Sequence, residues 1–170
     1  LYSSVMAPIG THKGPLHGGA NEQVMRMLLE IETPKRLEAY LDDALGGKRK
    51  VMGFGHRVYK EGDPRAAILK RMSRELTAET GHPEYYEMSV ALEELMAERK
   101  GLIPNVDFYS ASVYYSMGIP IDLFTPVFAT SRIAGWCAHV LEQYQNNRIY
   151  RPRGKYVGPK GESYVPIDER

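Results

Sequence analysis

The chain has 170 residues, 43% of them hydrophobic and 25% charged, which is room for one ordinary domain with a proper core and excludes a disordered chain. Its 22 basic and 21 acidic side chains leave a net charge of +1, so no bulk field of either sign points to a nucleic-acid or acidic partner. A single cysteine excludes an intrachain disulfide framework or cysteine-rich zinc site and permits a cytoplasmic location, and no apolar run approaches the ~20 residues of a membrane span.

The chain opens at Leu1, without an initiator methionine or the basic segment of a signal peptide, and runs directly into apolar sequence. That beginning reads as a cut end, and the chain as a piece of something longer. Val24, Leu28 and Ile31 recur at helical spacing, so 21–31 reads as an amphipathic helix. Thr33-Pro34 signals a helix start, Leu37, Leu41, Ala44 and Leu45 mark one face, and Gly46-Gly47 stop it. Lys50 to Phe54 has a strand look but is short. Asp63-Pro64 opens a further helix carrying Leu69, Met72 and Leu76, which Gly81 ends. Met88, Leu92 and Leu95 give another, closed by Gly101, and Val113, Tyr114 and Met117 a shorter one ended by Gly118. Thr125-Pro126 starts the last long helix, running to about Gln145. Beyond it, Arg148, Arg151, Arg153, Lys155 and Lys160 with three tyrosines form a tail that is either solvated or docked on a partner surface. Period-2 alternation is otherwise missing, so the fold class is all-α.

Three loops set a titratable side chain beside glycine or proline at a helix edge. In Lys13 to Asn21, His17 precedes Gly18-Gly19 and a helix. The helix dipole disfavours an imidazolium there, leaving a neutral ring that donates one hydrogen bond, or else the segment is only a helix-entry turn. In Gly53 to Lys60, His56 follows a Gly-x-Gly and is flanked by Arg57, Lys60 and Arg65. This suits an anion held by amides and guanidinium forks, or an exposed basic turn. It is neither a complete dinucleotide fingerprint nor a P-loop. In Pro104 to Ser110, Asp107 stands among apolar neighbours at a helix start. It is either an N-terminal capping aspartate or a partly buried base. His12, His82 and His139 make no metal-ligand spacing, and Cys137 beside Trp136 is core material rather than a nucleophile. Together, two histidines, an aspartate and several arginines suit proton abstraction and carbonyl polarisation on a carboxylate-rich substrate.

The blocks KGPLHGGANE, VMGFGHRVYKEGDPRA and PNVDFYSA, followed by FATSRIAGW and NNRIYRPRGKYVGP, stand in the order and approximate spacing of the citrate synthase family. The chain resembles its C-terminal part, which implies a citrate synthase-like multi-helical fold. The resemblance implies that residues 1–17 end a large-domain segment, 18–118 form a small mobile domain, and 119–170 return to the large domain with an extended tail. It implies an acyltransferase of the tricarboxylic acid cycle that condenses acetyl-CoA with oxaloacetate and hydrolyses citryl-CoA, with no cofactor and no metal. His17 would hydrogen-bond the thioester carbonyl, Asp107 would take the methyl proton, and His56 would donate to the oxaloacetate carbonyl. Arg65 and Arg132 would bind substrate carboxylates, and Arg151 would reach the partner subunit's site in a homodimer. Val51, Met52, Gly53, Phe54 and Gly55 would face coenzyme A, with Lys100 and Asn105 as further contacts. The family's N-terminal region is missing from the 170 residues, so the chain is expected to be inactive without it. The alternatives are a 2-methylcitrate synthase using propionyl-CoA, whose substrate differs by one methylene, and a non-catalytic module of the same fold.

Overall fold

Each apolar stripe becomes a helix in the computed structural model, which describes residues 1–14 and 18–170. Seven α-helices are present among them: α1 (Tyr2–His12), α2 (Ala20–Ile31), α3 (Leu37–Gly46), α4 (Pro64–Glu79), α5 (Glu84–Lys100), α6 (Val106–Ser116) and α7 (Phe124–Gln145). The Thr33-Pro34 signal opens a 3₁₀ turn, Pro34–Arg36, before α3, and the Thr33 side chain makes no capping bond. Asp63 does cap, accepting from the Arg65 amide. Gly101 ends α5 in the left-handed conformation, the usual glycine solution at that position. α6 begins well before its predicted apolar positions, because Asn105 caps it through the Asp107 amide.

No strand forms among the described residues. The strand-like stretch 50–54 is interrupted by positive φ at Gly53, and it contributes one antiparallel bridge, Phe54 to Pro104. α1 escapes the periodicity reading for a physical reason: none of its residues is buried, so it has no core stripe to display.

The core is built around α6. Phe108, Tyr109 and Ala111 are fully buried against Val24, Met25 and Leu28 of α2 and Met88, Leu92 and Met96 of α5, with Leu37 and Leu41 of α3 and Phe124 of α7 completing the cluster. α4 crosses α6 through small residues, where Ser73 and Ser112, both fully buried, share a 2.7 Å hydrogen bond. That close approach holds the start of α4 beside the start of α6, which places Arg65 near Asp107.

α1 and α7 are different. α1 exposes Tyr2, Met6 and Ile9, and α7 exposes Ile133, Leu141 and Tyr144. They pair with each other along α1, from the Leu1 ammonium, which donates to Tyr144 Oη at 2.7 Å, to His12, whose ring centroid lies 5.3 Å from that of Trp136. The accessible surface is 11915 Å² for 19.2 kDa, where a compact monomer of that mass exposes about 8,400 Å². No helix among the described residues is long and apolar enough to cross a membrane.

Candidate functional site

Two loops are zipped together at the mouth of α6. The Gly55 amide donates to the Ile103 carbonyl (2.8 Å) and the Asn105 amide to that of Gly53 (2.9 Å). Asn105 completes the joint: its Nδ2 donates to the Gly55 carbonyl at 2.9 Å, while its Oδ1 accepts from the Asp107 amide at 3.0 Å. Gly53 is obligatory in this packing. It sits at φ +86°, and a Cβ there would lie within 2.9 Å of Phe108 and Val24. The loop bearing His56 and the helix bearing Asp107 are thereby held as one piece.

His56 folds back on its own loop. Its Nδ1 accepts from the Val58 and Tyr59 amides, both at 3.0 Å, and its ring stacks on Tyr59 at 4.6 Å. With Nδ1 used as an acceptor, the proton of the neutral ring belongs on Nε2, so the imidazole is preset as a single hydrogen-bond donor.

Asp107 occupies the first turn of α6 and is 8% exposed. Burial pushes its carboxyl up to about 6, against the downward pull of Arg65 and Arg132 and with some upward push from Asp63. The helix N-terminus favours the ionised form, but loss of water outweighs it. A carboxyl in this range is still ionised at neutral pH and is a stronger base than a solvated aspartate.

Arg65 is fixed by its neighbour. Asp63 accepts from Arg65 Nε at 2.9 Å and from Nη2 at 2.8 Å, a fork-to-fork pair. Burial raises Asp63, but the bonds from Arg65 and the Val106 amide outweigh it and hold the carboxyl below its ordinary value. Arg132 arrives from α7 and lies over the Phe128 ring at 4.9 Å.

Gly55, His56, Arg65, Asn105, Asp107 and Arg132 line one cavity of about 460 Å³, with Arg57, Val58, Tyr59 and Val106. The structure thus brings together one of the two candidate histidines, the candidate base and two of the three candidate arginines. His17 lies outside the described residues. Arg151 stands apart, on the exposed tail beside Pro152, Arg153 and Gly154. Of the expected coenzyme A contacts, Val51 and Phe54 are buried in the core, Met52 lines a separate 200 Å³ cleft with Arg26 and Arg49, and Lys100 is exposed at the end of α5. Both polar ends of the Asn105 side chain are engaged within the fold. Asp63 was legible only as a helix start; its grip on Arg65 and α6 follows from tertiary packing. Among the described residues, no group of three or more His, Cys, Asp or Glu is placed to hold a metal ion.

A base, a preset donor and two cations around one cavity can bind carboxylates, polarise a carbonyl and remove a carbon-bound proton. The family model for the citrate synthase C-terminal domain matches residues 1–153. The chain is 59% identical over 170 residues to citrate synthase 2 of Bacillus subtilis, covering 100% of this chain and 46% of that protein. It is 47% identical to the 2-methylcitrate synthase of Shewanella oneidensis, covering 100% of this chain and 45% of that one. The citrate synthase of Thermoplasma acidophilum, solved as a ternary complex with carboxymethyl coenzyme A and oxaloacetate, superposes with a TM-score of 0.87 at 42% identity, over 99% of this chain and 46% of that one. The chain therefore spans about half the length of the relatives it matches.

Proposed function

The chain belongs to the citrate synthase family, and from that premise we propose that it supplies the catalytic cleft for condensing acetyl-CoA with oxaloacetate. The observation behind this reading is the convergence of His56, Arg65, Asp107 and Arg132 on one cavity. Asp107 takes a proton from the acetyl methyl, and the C–H electron pair becomes the enol double bond. A thioester methyl is a very weak acid, so the developing enol oxygen needs a hydrogen-bond donor; the resemblance gives that role to His17. The enol carbon then attacks the ketone carbon of oxaloacetate. A carbon–carbon bond forms, the carbonyl pair moves to oxygen, and the Nε2–H of His56 meets the growing charge. Arg65 and Arg132 hold the substrate carboxylates. Water then cleaves the citryl thioester to citrate and free coenzyme A. What the protein must supply to these bond-forming and bond-breaking steps is proton transfer and carbonyl polarisation, which side chains provide without a resident cofactor.

Residues 18–118 act in this proposal as the mobile domain that closes over the substrates and expels water. The exposed apolar faces of α1 and α7, with the surface excess noted above, are packing sites for the N-terminal half present in the relatives. Arg151, free on the tail, serves the partner subunit's site in a homodimer. On this reading the 170 residues alone are inactive.

A second reading, use of propionyl-CoA, is favoured by the relative named 2-methylcitrate synthase. The two substrates differ by one methylene, worth about 1–3 kcal/mol of discrimination. The test is oxaloacetate-dependent thiol release from each acyl-CoA, with this chain joined to the N-terminal region of its relatives. A higher kcat/KM for acetyl-CoA supports the first reading, a higher value for propionyl-CoA the second, and no release from either refutes both.

A further inference from the structure

We propose that Asp63 is the positioning residue of the site, holding the Arg65 guanidinium and the first turn of α6 in a single carboxylate cradle. The carboxylate accepts four hydrogen bonds. Oδ1 takes the Arg65 amide at 3.0 Å and Arg65 Nε at 2.9 Å, and Oδ2 takes Arg65 Nη2 at 2.8 Å and the Val106 amide at 3.1 Å. Its side chain is 1% exposed while that of Arg65 is 38% exposed. The anchored end of the pair is thus buried, and the cation is left at the cavity wall. Asp63 itself is absent from the residues lining that cavity. It acts through Arg65 and α6, without touching substrate.

The geometry has two consequences. First, the fork of Arg65 is oriented before any ligand arrives. Two of its nitrogens are spent on Asp63, leaving Nη1 and one hydrogen of Nη2 for a carboxylate, so the orientational entropy of a long side chain is already lost. Second, Val106 is the residue before Asp107. One carboxylate therefore links the candidate substrate-binding arginine to the backbone carrying the candidate base, and fixes their separation. Asp63 also offsets the charge of Arg65 as felt by Asp107. The groups around Asp107 are Asp63, which caps α4, Arg65 from α4, Arg132 from α7 and Tyr114 from α6, with His56 lining the same cavity. Without Asp63, the uncompensated guanidinium favours the Asp107 carboxylate and makes it a weaker base. A helix cap alone needs only the Arg65 amide bond; the remaining three bonds do the coupling.

This inference rests on the proposed function for the identity of the ligand, but the cradle can be tested separately. Asp63→Ser keeps a good N-cap for α4 and removes the charge and the fork; Asp63→Asn, nearly isosteric, replaces it if the serine variant does not fold. In the full-length protein, citrate affinity is measured by calorimetry and the Asp107 carboxyl is titrated by ¹³C NMR. In the folded variant, citrate binding is expected to weaken about tenfold or more, and Asp107 to titrate at lower pH than in the parent. A variant that is merely less stable, with citrate affinity and Asp107 titration unchanged, overturns the proposal. If the parent itself does not bind citrate, the proposed function fails. Crystal structures of parent and variant then decide: an Arg65 guanidinium displaced from its place beside Asp107 upholds the cradle, and an unmoved one refutes it.

Discussion

Asp107→Asn should make the protein more stable at neutral pH while disabling it. Raising the carboxyl from its ordinary 3.8 to about 6 means that ionising it costs about 3 kcal/mol more in the fold than in water, at about 1.4 kcal/mol per pH unit. The sign follows from proton uptake. Between those two values the folded state holds a proton that the unfolded state has released, so stability from this group is fully present below pH 3.8 and is lost as pH rises through about 6. Asparagine carries no charge and has no such loss. No side-chain hydrogen bond to the Asp107 carboxylate is present among the described residues, and the only Asp107 bond at the α6 cap uses the backbone amide, so the substitution removes no structural partner. Urea denaturation of parent and variant near pH 4 and pH 8 measures the effect. The stability difference, variant minus parent, should grow by up to about 3 kcal/mol between those two conditions. Condensation in the same variant, joined to the N-terminal region of the relatives, should fall by about 10²–10⁴. Stability profiles that run parallel across the range would refute the buried, raised carboxyl, and with it the reason for choosing Asp107 as base.

Three further outcomes follow from the same geometry. Gly53→Ala combines a positive φ with a Cβ closer than 3 Å to Phe108 and Val24; a loss of about 2–4 kcal/mol is expected in denaturant unfolding. Asn105→Ala removes the α6 cap and the tie to Gly55; it should cost about 1–2 kcal/mol, and kcat should fall as His56 and Asp107 lose their fixed spacing. Arg132→Gln removes a cation that pulls the Asp107 carboxyl down; the acid limb of the pH–rate profile should therefore move to higher pH, with a raised KM for oxaloacetate.

α2 and α3 were legible because their apolar residues repeat on one buried face, as Val24, Leu28 and Ile31 do on α2, whereas the face that α4 buries is Ala66, Ser73 and Thr77, and Met72 of its apolar stripe is exposed. α1 was not legible, because a helix with no buried residue leaves no stripe in the sequence. The loops carrying His56 and Asp107 were visible as titratable residues beside glycine or proline, but composition could not distinguish a catalytic carboxylate from a capping one. The fold resolves the difference. Asn105 takes the capping role, which leaves the Asp107 side chain to the cavity. Asp63 shows the limit in the other direction: Asp-Pro-Arg looks like an ordinary helix start, and the bond to the Val106 amide joins residues 43 apart in the chain. No local pattern encodes such a contact. It exists because Ser73 and Ser112 let α4 and α6 approach closely.

On this geometry a base, a preset imidazole donor and two guanidinium groups serve one ligand in one cavity. A crystal structure with citrate bound, of this chain joined to the N-terminal region of its relatives, would show whether they do. Citrate carboxylates are expected on Arg65 and Arg132, with the hydroxyl oxygen within hydrogen-bond reach of His56 Nε2 and Asp107 beside the carbon chain. Citrate bound elsewhere, or bound with His56 and Asp107 on opposite sides of a closed wall, would contradict it.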